Sequence, residues 1–70
     1  MIYIENSSDN NNVLGVNDIK VIPEVRNPIE ASQLWIKGEE NAQGYFTLQN
    51  SKTLKFLTAI SASGLEIKGG

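Results

Sequence analysis

Two stretches of this chain follow one pattern. Residues 3–16 read YIENSSDNNNVLGV and residues 47–59 read TLQNSKTLKFLTA. At an offset of about 44 residues, Ile4 falls on Leu48, Asn6 on Asn50 and Ser7 on Ser51, a spacing in the range of repeat architectures. Leu14 then meets Leu57 if the first turn carries one extra residue, and DIKV meets GLEI. Each copy reads as a strand, an Asn-Ser turn, a strand with a central Leu, a short turn and a strand. A unit of this length cannot bury its apolar face alone and must stack on copies of itself.

Size reinforces that requirement. Seventy residues make one small domain, which buries only roughly 60% of the surface its unfolded chain exposes. Disulfides, metals or partner subunits usually supplement such a core. With no Cys and no His, a disulfide scaffold and a thiolate zinc site are excluded, and partner chains become the leading candidate. The N-terminus MIYIENSSDNNN lacks a basic region followed by a long apolar run, and no apolar stretch is long enough to span a bilayer. The expectation is a cytoplasmic protein without membrane contact. Asn6-Ser7-Ser8 matches the glycosylation sequon, which has no use without secretion. Net charge is −2 with Lys20, Lys37, Lys52, Lys55 and Lys68 dispersed, so there is no basic patch for nucleic acid.

Along the chain, MIYIEN alternates, with Ile2 and Ile4 on one face of a strand. NSSDNNN is a turn cluster. VLGV and IKVI form a hairpin around Asn17-Asp18. The two Pro of PEVRNP make residues 23–28 a connection that cannot sit in a central strand. NPIEASQLWIKG reads two ways. Asn27, Pro28 and Glu30 resemble a helix start and Gly38 a helix stop, whereas QLWIK reads equally as a strand. GEENAQG is a turn and YFTLQ a strand with Phe46 and Leu48 on one side. NSKT is a turn, and LKFLTAI and LEIK are strands separated by SASG.

The order Gln33-Leu34-Trp35, Gly44, YFTLQ, Asn50 and the Leu57 strand resembles the ricin-type β-trefoil family. Its units end in Gln-x-Trp and restart with Gly, an aromatic alternation, Asn and a turn. The resemblance implies that Trp35 packs in the core, that Gln33 holds backbone within its own unit, and that residues 32–37 are a fourth strand. It divides the chain into a first trefoil-like repeat, residues 1–43, and an incomplete second one, residues 44–70. The expected fold is all-β, with seven short strands per chain and a trefoil completed by oligomerisation or additional chains, because seven strands leave unpaired edges.

The resemblance also implies a sugar pocket marked by an Asp after the second strand's Leu and an Asn before Gln-x-Trp. Those positions are Gly15 and Thr58, and Ser32, so the usual polar clamp is absent and a standard galactose site is not expected. Candidate ligand-binding residues are Tyr3, Asp9, Asn10, Asn12, Trp35, Tyr45 and Asn50. Trp35 and Phe46 have faces suited to a sugar ring, although a small domain first needs both in its core. Tyr3 and Tyr45 lie out of phase with the apolar face and suit a rim. The run Asp9 to Asn12 offers amides and a carboxylate to hydroxyl groups, while Asp9 with Asp18 is too few ligands for calcium. Glu39 and Glu40 are adjacent in a turn and need not converge, and nothing splits their pKa values for acid–base work.

Without His, Cys or a phosphate loop, an enzyme is not expected, nor a cofactor or metal. The reading is a lectin-like carbohydrate-binding module whose partners are a glycan and a homo-oligomer or complementary trefoil chain, weak sites gaining avidity from assembly. Two alternatives stand beside it. One is a protease inhibitor presenting VIPEVRNPIEAS, stiffened by Pro23 and Pro28; the other is a structural self-assembling trefoil fragment.

Overall fold

The structure is a computed structural model that describes residues 1–61 and 64–68. It is all-β. Its strands are β1 (Asn12–Asn17), β2 (Lys20–Val25), β3 (Trp35–Lys37), β4 (Leu48–Asn50), β5 (Phe56–Ser61) and β6 (Gly64–Lys68), in spatial order β1-β2-β6-β5-β4-β3. All pairs are antiparallel, but β2 meets β6 only at Lys20↔Glu66 and β4 meets β5 only at Gln49↔Phe56. The result is three hairpin-like pairs joined at single contacts.

The N-terminal segment, expected as a full strand, instead makes two isolated bridges, Ile2↔Trp35 and Glu5↔Val13. It crosses from β3 to β1, so neither neighbour runs beside it for long. Ile2 exchanges both backbone hydrogen bonds with Trp35, at 2.8 and 2.9 Å.

The first hairpin turns at Asp18-Ile19, one residue later than expected, because Asn17 already pairs with Lys20. Asp18 takes the left-handed backbone at φ 59°, which a short polar side chain tolerates. Pro23 lies inside β2, against expectation, opposite Leu14. Hydrogen-bonded pairs alternate along an antiparallel ladder. Because Arg26 donates to Asn11 O at 2.7 Å, the hydrogen-bonded positions of β2 are the even-numbered ones. Pro23 therefore falls at a non-bonded position, where its missing N–H takes nothing from the ladder.

The ambiguous segment resolves into a 3-10 turn, Ala31–Gln33, followed by β3. The fourth strand thus starts at Trp35 and not at residue 32. Glu30 caps the turn by accepting from Ser32 Oγ at 2.9 Å and Ser32 N at 3.2 Å. These bonds first, and the Lys52 charge after them, hold the Glu30 carboxyl below its ordinary range. A lowered folded-state pKa gives stability that is present above the unfolded value and lost as pH falls through the folded value. The Ser32 amide resonance is expected to shift as acid titrates Glu30 below the usual carboxylate range, and Glu30→Gln is expected to abolish that shift. A Ser32 titration unchanged by Glu30→Gln would rule the cap out.

Of YFTLQ only Leu48 and Gln49 lie in a strand, β4, which runs on to Asn50. Asn41 competes for the rest. Its N–H donates to Tyr45 O at 2.9 Å, and its Oδ1 accepts from Gln43 N at 2.9 Å and Tyr45 N at 3.0 Å. Gly44 closes this turn at φ 85°, a conformation that costs Gly little.

The core is small. Val13, Val16 and Trp35 are the buried apolar side chains among the described residues, and Ile4, Leu14, Val21, Leu48 and Leu57 pack around Val16 and Trp35. Trp35 Nε1 donates to Leu14 O at 3.0 Å. Phe46, expected in the core beside Leu48, is 45% exposed, with Lys37 Nζ 4.5 Å from its ring centroid.

The two Asn-Ser turns have matching bonds. Asn6 Oδ1 accepts from Ser8 N at 2.8 Å, and Asn50 Oδ1 from Lys52 N at 3.1 Å. Asn6 N donates to Asn12 O, and Asn50 N to Lys55 O. The contacts Glu5↔Val13 and Gln49↔Phe56 occupy corresponding positions. The second turn differs at Leu54, whose φ is 61°. A branched side chain in this region costs roughly 1–2 kcal/mol, and Leu54 is exposed. Leu54→Gly is expected to raise urea-unfolding stability by about 1 kcal/mol, less Gly's own entropy cost. A loss of stability would mean that the Leu side chain packs.

Candidate functional site

The residues around the first Asn-Ser turn form two adjoining concavities. One, of about 110 Å³, is lined by Ile4, Val13, Leu14 and Pro23 with the polar Glu5, Asn6 and Asn12. The other, broader and about 490 Å³, is lined by Glu5, Asn6, Ser7, Ser8, Asp9 and Asn10. They share Glu5 and Asn6, so a polar bowl opens beside a partly apolar slot.

Local hydrogen bonds shape the bowl. Asp9 Oδ1 accepts from Asn11 N at 3.0 Å and Asp9 Oδ2 from Asn12 Nδ2 at 2.7 Å, while Asp9 N donates to Asn6 O and Asn12 N to Asp9 O. These are the self-directed bonds that make short polar side chains turn formers. Arg26 reaches in from the end of β2. One guanidinium nitrogen donates to Glu5 Oε1 at 2.7 Å and Asn10 O at 2.9 Å, and the guanidinium carbon stands 4.4 Å from the Tyr3 ring centroid. Arg26 thereby ties the N-terminal segment, the loop and the β2 exit together. Among the described residues, the hydroxyls of Ser7 and Ser8 and the amide of Asn10 take no side-chain hydrogen bond, leaving donors and acceptors free at the bowl.

The candidate residues divide into three groups. Asp9 and Asn10 line the bowl, Asn12 lines the slot, and Tyr3 stands beside them under Arg26. Trp35 and Asn50, both 0% exposed, lie in the interior. Asn50 Nδ2 donates to Ser32 O at 2.8 Å and its Oδ1 also accepts from Thr53 N at 3.1 Å. Neither residue presents a surface to a ligand: the small core claims the largest apolar ring, and the Asn50 amide is spent on backbone. Tyr45 is 73% exposed on the separate Asn41 turn. Glu5, Asn6, Ser7, Ser8 and Arg26 were not among the candidates. The Asn-Ser turn marked Asn6, Ser7 and Ser8, Glu5 ends the strand-like MIYIEN, and nothing local links the chain's single Arg to residues 5 and 10.

The neighbourhood of Gly15 is filled from the next strand. The Glu24 carboxylate lies where a Gly15 side chain would project, and Gln33 Nε2 donates to Glu24 Oε1 at 3.2 Å. Gln33 also donates to Val25 O at 3.0 Å and accepts from Asn27 N at 2.8 Å, so this buried amide braces the connection after β2.

Among the described residues, no group of three or more His, Cys, Asp or Glu could hold a metal ion, and no helix is long and apolar enough to cross a membrane. Set against protein-family models, characterised proteins and solved structures, the chain matches none.

Proposed function

We propose that this chain is a non-enzymatic, lectin-like carbohydrate-binding module built from β-trefoil-type repeats, and that residues 5–12 hold the glycan. The observation that carries it is the polar bowl next to a partly apolar slot. A sugar needs both, hydrogen-bonding groups for its hydroxyls and an apolar wall for its C–H face. Asp9, and Glu5 already paired with Arg26, disfavour an anionic glycan and favour a neutral one. The trefoil-type reading is supported by the matching Asn6 and Asn50 turns, by burial of Trp35 and by the bonds from Gln33 to Val25 and Asn27. Assembly with further chains is supported by nine large apolar side chains left exposed against three buried among the described residues.

Glycan-array screening followed by titration tests the site. A neutral glycan is expected to bind, and Ser8→Ala with Asn10→Ala is expected to weaken it about tenfold, as about 1.4 kcal/mol of lost hydrogen bonding would. Thermal unfolding of the double variant should match the parent, since neither side chain bonds another described residue. Unchanged affinity in that variant would move the site elsewhere, and no glycan bound at all would sink the reading.

One observation favours the inhibitor alternative. Ile29 is 90% exposed on a turn closed by Glu30 N to Asn27 O at 3.0 Å and braced by Gln33. Protease inhibition lost in Ile29→Ala would establish it.

A further inference from the structure

The repeat offset pairs Ile2 with Phe46, and their backbones fare differently. Ile2 exchanges two hydrogen bonds with Trp35, the first residue of β3. Phe46 makes no backbone hydrogen bond among the described residues, although Gly38 N donates to the next residue, Thr47 O, at 2.9 Å. Backbone groups alternate sides along an extended chain, so the Phe46 N–H and C=O face away from β3. The Phe46 ring is half exposed beside Leu48, which packs on the core. An unbonded backbone position just before β4 and a half-exposed ring, with Lys37 Nζ 4.5 Å from its centroid, coincide there.

We infer that this position accepts an added antiparallel strand from a partner chain, an extended segment carrying a bulky aromatic residue that pairs with Phe46 as Trp35 pairs with Ile2. Strand addition takes its affinity from main-chain bonds and its specificity from alternate side-chain pockets. The molecule shows the geometry of the occupant at the equivalent position: two backbone bonds to one residue and an indole buried beside a Leu. A second such strand would cover Phe46 and end the unpaired edge, which is otherwise prone to indiscriminate pairing. This deepens the assembly reading and rests on it, while it is independent of glycan binding.

The probe is the peptide EASQLWIKG, the chain's own residues 30–38, added to the isotope-labelled full chain. Light scattering of the chain without peptide measures self-assembly separately, so its outcome and the peptide's are read independently. On saturation the Phe46 amide is expected to exchange with solvent at least about tenfold more slowly, as a newly protected strand amide does. The same peptide with Ala in place of Trp should give no protection. Phe46→Pro removes an N–H that no described residue uses, so it should leave the fold intact and abolish peptide binding. Peptide at millimolar concentration that leaves Phe46 unprotected would overturn the inference. So would protection confined to Ile2, which would mean exchange with the chain's own β3, or equal protection by the Ala peptide.

Discussion

Trp35→Ala is expected to unfold the chain. The side chain is wholly buried, its ring contributes to the core cluster of the described residues, and its N–H satisfies Leu14 O. Removing a buried Trp typically costs about 3–5 kcal/mol. A domain of this size has only roughly 0.05–0.15 kcal/mol of stability per residue, and with three buried apolar side chains among the described residues this one belongs near the lower end. The cost is therefore comparable to everything available. Trp35→Phe separates the two contributions. It keeps an apolar ring but leaves the Leu14 carbonyl without its donor, at a cost of about 1–3 kcal/mol plus the residual cavity. Urea unfolding followed by circular dichroism checks both. In the parent, fluorescence of the single Trp reports the same transition. A cooperative Trp35→Ala variant weakened by less than about 1 kcal/mol would show that this core does not hold the fold.

The second large effect is expected at Asn50, and the repeat supplies its control. Asn50 is fully buried and bonds three backbone groups, Ser32 O, Lys52 N and Thr53 N. Asn6 has the corresponding turn bond to Ser8 N but is exposed. A buried polar group left unpaired costs about 1–3 kcal/mol, whereas an exposed one turns to water. Asn50→Ala is therefore expected to lose about 3 kcal/mol and Asn6→Ala less than about 1 kcal/mol. Equal losses at the two positions would mean that burial does not distinguish the turns.

Much of the strand pattern was legible because period-two alternation and turn-forming residues are local signals. The hairpin of β1 with β2 falls within one residue of where VLGV and IKVI put it, β5 and β6 overlap LKFLTAI and LEIK, and residues 62–63 of SASG lie outside those described. Where the sequence misled, a competing hydrogen bond decided. Asn41 captures Tyr45 and shortens β4 at its start, Glu30 captures Ser32 and makes a 3-10 turn, and ladder parity admits Pro23 to a strand. At the candidate site the run Asp9 to Asn12 was visible from composition. Arg26 was not, because its bonds to Glu5 and Asn10 O span 21 and 16 residues. Burial of Trp35 agrees with the core role that the resemblance implied, whereas Asn50 looked available as a ligand contact because burial of a polar turn residue cannot be read from its type.

Glycan binding at residues 5–12 is tested most directly by amide chemical shifts of the isotope-labelled chain during titration with neutral glycans. Shifts saturating together at Glu5 through Asn12, with Trp35 and Asn50 little changed, are the expected result. Shifts centred on Tyr45, or no saturable shift with any glycan, would contradict it.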